Sequence, residues 1–266
     1  MRKWNPEAYA RSSSAQKKWA DELISKIHIR GDERVLDIGC GDGKITAQIA
    51  TLLPHGSVVG IDSSREMISF ANGKFPPSIW PNLSFQFGDA SEIGYENEFD
   101  LVVSFACLHW ILDHGPVLEG IKRSLKPGGR LFLQFGGAGN AEEILVAVDK
   151  MISEDRWAKY FKGFPFPYGF YGPEEYRHWL SQAGLRAVRV ELILKDMAQP
   201  GRSGLASWIE STWLPYIERV PDEFRRDFVD EIVERYASTH PLDDDEQIHV
   251  NMVRLEVEAE KDLSRI

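Results

Sequence analysis

Short apolar segments rich in β-branched residues alternate with amphipathic segments over the first half of the chain. The apolar segments predict strands at residues 34–38, 57–62, 84–87, 100–105 and 130–135. Helices are predicted between the first two strands and around residues 64–72 and 116–125. Strands that alternate with helices form a parallel sheet covered on both faces, with the ligand beyond the carboxyl ends of the strands. We therefore predict an α/β fold with a doubly wound sheet.

After residue 136 the alternation loosens. The later elements are predicted as helices near 140–153 and 173–183, a strand at 187–194, mainly helix over 204–238 and a last strand at 253–259. That last segment alternates apolar and charged residues, which predicts a strand buried on one face only. The two later strands complete a mostly parallel, seven-stranded, Rossmann-like sheet. The segments around 155–183 and 200–245 are predicted to form an added helical cap.

The composition is that of an ordinary globular protein. Of the 266 residues, 43% are hydrophobic and 27% are charged, which excludes a disordered or collagen-like chain. The two cysteines, Cys40 and Cys107, are too few for a disulfide framework, so we expect a reducing compartment and a cytoplasmic location. The sequence shows neither a signal peptide nor an apolar stretch of membrane-spanning length. A formal net charge of -10 repels a polyphosphate backbone, so no nucleic-acid partner is expected.

Three glycines, Gly39, Gly41 and Gly43, follow the first predicted strand and precede a predicted helix. Glycine in this position lets the backbone come close to a nucleotide-like ligand. The dinucleotide fingerprint needs its third glycine five positions after the first, where this chain has Lys44. The spacing therefore fits NAD poorly.

Two acidic residues narrow the choice of ligand. Asp37, at the mouth of the glycine loop, would repel a pyrophosphate and attract an ammonium group. Asp62 ends the second predicted strand, where an acidic residue accepts hydrogen bonds from both hydroxyls of a ribose. A nucleoside that carries an amino acid satisfies both carboxylates, and S-adenosylmethionine is that molecule.

A third position agrees with this ligand. Asp89 and Ala90 follow the third predicted strand, where the carboxylate can accept from an adenine amino group and the next backbone N–H can donate to a ring nitrogen. Met67 is placed to lie on the adenine face. Each residue also has a structural interpretation, because Asp62 or Asp89 alone suits a helix cap and Met67 alone suits the core. Their order at successive strand ends favours the cofactor interpretation.

Residues 35–43 resemble the first motif of the class I S-adenosylmethionine-dependent methyltransferases almost letter for letter. Asp62, Asp89 and residues 125–129 match later landmarks of that family. The resemblance covers roughly residues 34–135. It implies transfer of the sulfonium methyl group to an acceptor, with S-adenosylhomocysteine as the other product.

Two flanking segments, residues 9–17 and 104–110, resemble those of small-molecule carboxyl methyltransferases of the trans-aconitate and juvenile hormone acid type. In those families the N-terminal helix covers the cofactor, and the residues that match Gln16 and Trp110 border the substrate pocket. The segment after the fourth predicted strand lacks the Asp/Asn-Pro-Pro-Tyr pattern of amide and base N-methyltransferases. The resemblance therefore implies a small-molecule acceptor that is methylated on a carboxylate.

A carboxylate is already ionised at neutral pH, so its methylation requires no general base. His109 is then expected to donate a hydrogen bond to the acceptor or to have a structural role. If the acceptor is instead a phenol, thiol, amine or carbon, His109 is the expected base. A non-catalytic protein that binds S-adenosylmethionine is a further alternative.

Two other segments have competing interpretations. Residues 161–171 contain six aromatic side chains, which suit either an apolar acceptor pocket or the anchoring of a loop on the sheet. The acidic run at residues 243–246 resembles a set of metal ligands, but we interpret it as a cap and solvated face before a helix. No metal site is predicted.

These inferences define a set of candidate residues and segments. The predicted catalytic residues are Gln16, His109 and Trp110. The predicted cofactor-binding residues are Tyr9, Asp37, Gly39, Cys40, Gly41, Asp62, Ser63, Met67, Asp89, Ala90 and Phe105. The chain is predicted to be one methyltransferase domain over residues 1–266, divided into a covering N-terminal helix (1–30), a cofactor-binding core (31–139), cap and substrate-pocket segments with one strand (140–248) and a final strand with a tail (249–266). The oligomeric state is left open.

Overall fold

The computed structural model describes residues 14–263, with side chains described from residue 17 onward. The chain divides into two compact units. The first unit holds the described residues up to Ala138, together with Tyr168–Ile193 and the chain from Arg254 onward. The second unit holds Gly139–Pro167 and Leu194–Val253. The segment around 155–183, assigned to the cap from the sequence, is thus divided between the two units.

A seven-stranded sheet confirms the predicted fold class. Its strands are β1 (Arg34–Ile38), β2 (Ser57–Asp62), β3 (Leu83–Phe87), β4 (Phe99–Phe105), β5 (Leu125–Gly136), β6 (Arg186–Pro200) and β7 (Gln247–Glu260). They lie in the order β3-β2-β1-β4-β5-β7-β6. The pairs from β3 through to β5 are parallel, whereas β7 runs antiparallel to β5. The chain order reverses between β1 and β4, and ligands of α/β sheets bind at such a switch point.

The helices follow the predicted pattern in the first half of the chain and are more broken in the second. In chain order they are α1 (Ser14–Ile24), α2 (Lys44–Thr51), α3 (Arg65–Lys74), α4 (Gly115–Ser124), α5 (Glu142–Ile152), α6 (Asp155–Phe161), α7 (Pro173–Gln182), α8 (Gly201–Thr212), α9 (Leu214–Ile217) and α10 (Arg225–Thr239). The predicted helical stretch 204–238 is interrupted because Pro215, which has no N–H, starts a new helix. None of the described helices is both long and apolar enough to span a membrane.

Helices cover both faces of the sheet in the first unit. Successive side chains of a strand point to opposite faces, so Val35 and Leu36 of β1 enter different cores. Val35 packs in one core with Leu23 of α1 and with α2 and α3. Leu36 packs in the other core with Val117 of α4 and Leu180 of α7. Burial on both faces explains why the parallel strands are almost continuously apolar.

The second unit has an aromatic core of its own. The ring of Phe161 stacks on that of Phe228 with centroids 5.5 Å apart. Phe164 meets the edge of Tyr216 at 5.0 Å. These two members of the aromatic segment therefore anchor helices of the second unit. The anchoring considered from the sequence was on the sheet, whereas these two rings pack on helices.

The prediction that the last strand is buried on one face only is wrong. Leu255 of β7 lies in an apolar core, as expected, but the charged residue Glu256 is also fully buried. The Glu256 carboxylate accepts hydrogen bonds from Gln134 Nε2 (2.9 Å), Lys26 Nζ (3.1 Å) and Arg189 Nη1 (2.8 Å). A charge can be buried when it is paired and hydrogen-bonded in this way. The alternation of apolar and charged residues does not distinguish such a network from a solvated face.

We expect Glu256→Gln to lower the free energy of unfolding by about 1 to 3 kcal/mol at pH 7, because the negative charge that holds Lys26 and Arg189 is lost. Burial opposes ionisation, but the hydrogen bonds from Arg189, Gln134 and Lys26 hold the pKa of Glu256 below its ordinary value. A lowered pKa stabilises the fold above the unfolded-state pKa, and this stabilisation is lost on acidification.

Urea denaturation of the wild type and the variant at pH 7 and pH 4 measures this difference, which we expect to shrink at the lower pH. Glu218→Gln, at an exposed position, is the control. Equal stability of the two variants at pH 7 would contradict the assignment of a stabilising network to Glu256.

Candidate active site

The residues selected from the sequence gather at one edge of the sheet. Strands β1 to β4 are parallel, so their carboxyl ends lie together. The strand ends and the turns that follow them carry Asp37, Gly39, Cys40, Gly41, Asp62, Ser63, Asp89, Ala90, Phe105, His109 and Trp110. Met67 lies in the first turn of α3. Gln16 is in α1 with its side chain outside the described part, and Tyr9 lies outside the described residues.

The glycine loop runs close against the turn that follows β4. Gly39, Gly41 and Gly43 have φ values of 77°, 53° and 78°, a region that residues with a Cβ rarely adopt. A Cβ at Gly39 would lie 2.2 Å from Sγ of Cys107. The close approach of the two turns therefore leaves no room for a side chain at this position.

The N–H groups of the loop are used to hold it on β2. Those of Gly39 and Cys40 both donate to the carbonyl oxygen of Ile61, at 2.8 and 3.0 Å. The N–H of Gly41 donates to Oδ2 of Asp62 at 2.9 Å. A phosphate-binding loop directs such groups at the ligand instead. The loop geometry thus agrees with the poor match of the sequence to a dinucleotide site.

Asp37 is a buried carboxylate at the end of β1, with only 2% of its surface exposed. Its Oδ2 accepts a hydrogen bond of 2.7 Å from the Thr46 hydroxyl of α2. Burial raises the pKa of Asp37 to about 7; the Thr46 hydrogen bond opposes the shift, and the charge of Asp62 adds to it. A cation beside this carboxylate would favour its ionised form.

Asp62 lies at the end of β2, and both of its carboxylate oxygens are engaged. Oδ2 accepts from the Gly41 N–H and Oδ1 accepts from the Ser64 N–H at 2.8 Å. Burial raises the pKa of Asp62 in spite of these two hydrogen bonds. Each carboxylate oxygen has a second lone pair, so the group can still accept from two ligand hydroxyls.

The residues after β3 and in α3 show the structural roles that were considered for them. Oδ1 of Asp89 accepts from the Ser91 N–H at 2.8 Å and caps a short 3₁₀ turn. Met67 is buried, and its N–H donates to the Ser64 hydroxyl that caps α3. These roles are compatible with ligand contacts, because Oδ2 of Asp89 and the thioether of Met67 take no part in the capping.

His109 has a defined donor and acceptor arrangement in the short turn after β4. Its Nδ1 accepts from the Gly136 N–H over 3.5 Å, so the neutral ring carries its proton on Nε2. Burial lowers the pKa of His109 well below its ordinary value, and the positive charge of Arg254 lowers it further. His109 is thus a neutral ring with its proton on Nε2, and it is a poor acceptor of a proton from substrate.

Aromatic side chains of the first unit surround this turn. The Gly169 N–H donates to the carbonyl oxygen of His109 at 2.9 Å, which fixes the residues after Pro167 beside it. The ring centroid of Trp110 lies 5.3 Å from that of Tyr168, and Tyr168 stacks on Phe170 at 5.2 Å. This half of the aromatic segment therefore lies at the candidate site, in contrast to Phe161 and Phe164.

Two residues of this region were not predicted from the sequence. Thr46 holds Asp37 in place, but a threonine in the first turn of a helix carries no distinguishing signal. Arg254 of β7 is 3% exposed, and its charge acts on His109. The alternating pattern of the strand made this arginine look like part of a solvated face.

The acidic run before β7 forms a turn. Asp243 Oδ1 accepts from the N–H groups of Asp245 and Gln247, and its Oδ2 lies 2.9 Å from His249 Nε2. The expectation that a helix follows is wrong, because β7 begins at Gln247. Among the described residues, no group of three acidic, histidine or cysteine side chains is arranged to hold a metal ion.

The site combines a glycine loop whose N–H groups are held by β2 with two carboxylates at neighbouring strand ends. This combination suits a nucleoside with a cationic amino-acid tail rather than a dinucleotide. On a seven-stranded sheet of this order, it defines the class of the S-adenosylmethionine-dependent methyltransferases.

Comparison with known proteins supports this class. The methyltransferase domain family matches residues 29–184. The trans-aconitate 2-methyltransferase of Deinococcus radiodurans is 32% identical over 235 residues, covering 85% of this chain and 87% of that protein. The crystal structure of the YcgJ protein of Bacillus subtilis has a TM-score of 0.63 at 17% identity and covers 92% of this chain and 99% of that one. A structure of Haemonchus contortus phosphoethanolamine N-methyltransferase 2 with S-adenosylmethionine has a TM-score of 0.61 at 19% identity and covers 97% of this chain and 56% of that one.

The chain belongs to the methyltransferase domain family. It is a class I S-adenosylmethionine-dependent methyltransferase that resembles the trans-aconitate type. The cofactor inferred from the acidic residues of the sequence is thereby confirmed.

We expect Gly39→Ala to lower the free energy of unfolding by about 1 to 3 kcal/mol and to weaken binding of S-adenosylmethionine more than about tenfold. The added Cβ would meet Cys107 and would require a left-handed backbone. Gly73→Ala in α3 is the matched control, since a Cβ there meets nothing within 4 Å. Denaturation and titration calorimetry measure both effects, and a Gly39→Ala protein with unchanged affinity would contradict the close approach.

We expect Asp37 to make the free protein less stable as the pH rises. A carboxyl whose folded-state pKa is raised from 3.8 to about 7 stabilises the fold below the lower value and loses that contribution as the pH rises from 3.8 to about 7. Between pH 5 and pH 8 the wild type should lose roughly 2 to 3 kcal/mol relative to Asp37→Asn. Urea denaturation at both pH values measures this, with the exposed-site variant Asp222→Asn as control. Parallel pH profiles of the wild type and Asp37→Asn would show that Asp37 has an ordinary pKa.

Proposed function

We propose that the methyl acceptor is a small organic acid and that the methyl group is transferred to a carboxylate oxygen. The observation that carries this proposal is the state of His109. A phenol, thiol or amine must give up a proton during methylation, and His109, with Nδ1 engaged by Gly136 and its pKa lowered, is poorly suited to accept one. A carboxylate is already ionised at neutral pH and needs no base. The Nε2–H of His109 can instead donate a hydrogen bond to it.

The relatives support an acid as acceptor. The Deinococcus radiodurans protein is named for trans-aconitate, and so are similar proteins of Methylobacterium radiotolerans and Variovorax paradoxus. Identities of 26 to 32% are compatible with a different acid in this chain. Trans-aconitate is therefore the first acid to test.

For the cofactor we propose a division of roles along the sheet edge. Asp37 faces the ammonium end, and Asp62 accepts from the ribose hydroxyls. The glycine loop allows the close approach, and Asp89 with the N–H of Ala90 contacts the adenine. The remaining proposed contacts are from Tyr9, Cys40, Ser63, Met67 and Phe105.

S-adenosylmethionine supplies a methyl group that is activated by a positively charged sulfur. The chain then has to hold the acceptor carboxylate in line with that methyl at about 3 to 3.5 Å, which can contribute on the order of 7 to 11 kcal/mol. We propose that Gln16, His109 and Trp110 hold the acceptor in this position. His109 donates through Nε2, and the ring of Trp110 bounds the apolar side.

We further propose that α1, as part of the N-terminal segment, covers the cofactor. In the first unit, Trp19 of α1 is buried, and its carbonyl oxygen accepts from Gln134 Nε2 at 3.2 Å. Leu23 of the same helix packs in the core with Val103 of β4. A helix fixed in this way would exclude water, which strengthens the attraction between a sulfonium and an anion.

The test is turnover of an acid panel with S-adenosylmethionine labelled in its methyl group. The panel consists of trans-aconitate as the tricarboxylate, a dicarboxylate of similar length and a monocarboxylate. For each acid it also contains the primary amide in which every carboxyl group is converted. We expect methyl esters from at least one acid and no product from the amides. Transfer to phenols, thiols or amines, with no acid methylated, would overturn the proposal.

We expect His109→Ala to slow methylation of a panel acid about 10- to 100-fold without abolishing it, and His109→Gln, which retains an N–H donor, to slow it less. The kcat of the wild type at saturating cofactor should vary little between pH 6 and pH 8, because no base has to be deprotonated. Initial-rate assays between pH 6 and pH 8 measure the slowing in the variants and the pH dependence of the wild-type kcat. Two results together would identify His109 as a base. These are complete loss of activity in both variants and a wild-type rate that rises with pH as the histidine loses its proton.

A further inference from the structure

A buried histidine holds the turn that follows β4. This turn comprises residues 108–112 and carries two of the proposed acceptor contacts; we term it the β4 turn. Nε2 of His114 lies 2.9 Å from the carbonyl oxygen of Leu108 and 2.9 Å from that of Ile111. Both carbonyls can only accept, so Nε2 carries the ring proton and donates to them. His114 thereby joins the residues on either side of the proposed acceptor contacts in the β4 turn.

Tyr176 of α7 fixes the tautomer of this histidine. Its hydroxyl lies 3.0 Å from Nδ1 of His114. Because Nε2 carries the ring proton, Nδ1 accepts and the tyrosine hydroxyl donates. Burial lowers the pKa of His114 in spite of the two carbonyl contacts, so the neutral ring predominates at pH 7. The hydrogen bonds therefore run in one direction, from Tyr176 through His114 to the β4 turn.

Aromatic rings enclose His114 and leave only 1% of it exposed. The rings of Phe135, Tyr171 and Tyr176 meet the imidazole edge to face, with centroid distances of 5.5, 5.1 and 5.5 Å. A phenylalanine also suits such an apolar environment and needs no hydrogen-bond partner. Packing alone therefore does not account for the two ring nitrogens, whereas the β4 turn and Tyr176 do.

The β4 turn is also held by the segment that leads into α7. The Gly169 N–H donates to the carbonyl oxygen of His109 at 2.9 Å, and the Tyr171 hydroxyl donates to that of Leu112. Together with the bonds from His114, these contacts fix the backbone of the turn from both of its sides. Side chains that align reacting groups depend on such support, because small displacements lower the rate.

We propose that His114 is a positioning residue for methyl transfer, because its hydrogen bonds to the β4 turn set where His109 and Trp110 meet the acceptor. This inference rests on the proposed contacts of those two residues with the acceptor. It assigns the alignment of the acceptor to a side chain that acts through the backbone of the turn.

A loosened turn affects the chemical step more than it affects cofactor binding. A displacement of about 1 Å in a reacting group can lower the rate on the order of 100-fold. The carboxylates of Asp37 and Asp62 take their hydrogen bonds from Thr46, Gly41 and Ser64, none of which belongs to the β4 turn. Loss of the His114 bonds should therefore lower kcat and leave the affinity for S-adenosylmethionine largely unchanged.

The experiment compares the wild type with His114→Phe, His114→Gln and Tyr176→Phe, with trans-aconitate as acceptor. The Phe variant of His114 keeps a ring without a donor, whereas the Gln variant retains an N–H donor. Tyr236→Phe is the matched control, since this buried hydroxyl also donates to a backbone carbonyl, at 2.9 Å, but lies in the second unit. Titration calorimetry with S-adenosylmethionine gives the cofactor affinity and the fraction of binding-competent protein, to which each kcat is referred.

We expect His114→Phe to lower kcat at least about tenfold while the cofactor affinity stays within about threefold of the wild type. His114→Gln should recover part of this loss, Tyr176→Phe should show a smaller loss, and Tyr236→Phe should keep the wild-type kcat. An unchanged kcat in His114→Phe would overturn the proposal. If that variant does not fold, an unchanged kcat in both His114→Gln and Tyr176→Phe would do so. A fall in cofactor affinity as large as the fall in kcat would also overturn it.

A wild type that methylates no acid would overturn the proposed function, and His114 is then tested without an acceptor. Nδ1 of His109 accepts from the Gly136 N–H, so long-range ¹H–¹⁵N NMR spectra should show a single Nε2–H tautomer for His109 in the wild type. In His114→Phe, or in His114→Gln if the former does not fold, we expect a mixture of both tautomers. An unchanged His109 tautomer would show that His114 does not position the β4 turn.

Discussion

The site depends on two carboxylates that the fold withdraws from water at the ends of adjacent strands. Asp37 and Asp62 each lose solvation by burial, and the pKa of each is raised. Neutral hydrogen bonds from Thr46, Gly41 and Ser64 orient these groups without cancelling their charge. Two carboxylates held in this way favour a positively charged ligand. A sulfonium and an ammonium group supply such charge. The same arrangement is unfavourable for phosphates, so the proposed site selects its cofactor by the electrostatics of the strand ends.

The sheet makes this arrangement possible. Parallel strands bring Asp37 and Asp62 to one edge, and helices pack on both faces of the sheet. The glycine loop then folds onto β2 through its own N–H groups, so that backbone rather than side chain lies against the ligand position. The antiparallel strand β7 extends the sheet beyond β5 and pairs Arg254 with Gly136. The N–H of Gly136 donates to Nδ1 of His109. The proposed cofactor and acceptor positions thus lie at neighbouring strand ends.

The sequence predicted the features that depend on local patterns. Alternation of apolar and amphipathic segments predicted the seven-stranded sheet, and the order of Asp37, the glycines and Asp62 predicted the cofactor. Features that depend on contacts across the sheet were missed. A charged residue at every second position of β7 has the same pattern whether it faces water or a buried network, so Glu256 was interpreted wrongly. The aromatic segment was treated as one feature, although its ends lie in different units, because sequence distance does not show where the chain changes unit.

Burial raises the pKa of Asp37 to about 7, so we expect Asp37 to be partly protonated in the free enzyme and to become ionised when the cationic cofactor binds. Titration calorimetry with S-adenosylmethionine at pH 7, in buffers of different ionisation enthalpy, counts the protons exchanged on binding. Since the pKa of Asp37 is about 7, we expect the wild type to release up to about half a proton more than Asp37→Asn. Identical proton exchange in the two proteins, or uptake of protons by the wild type alone, would contradict the account.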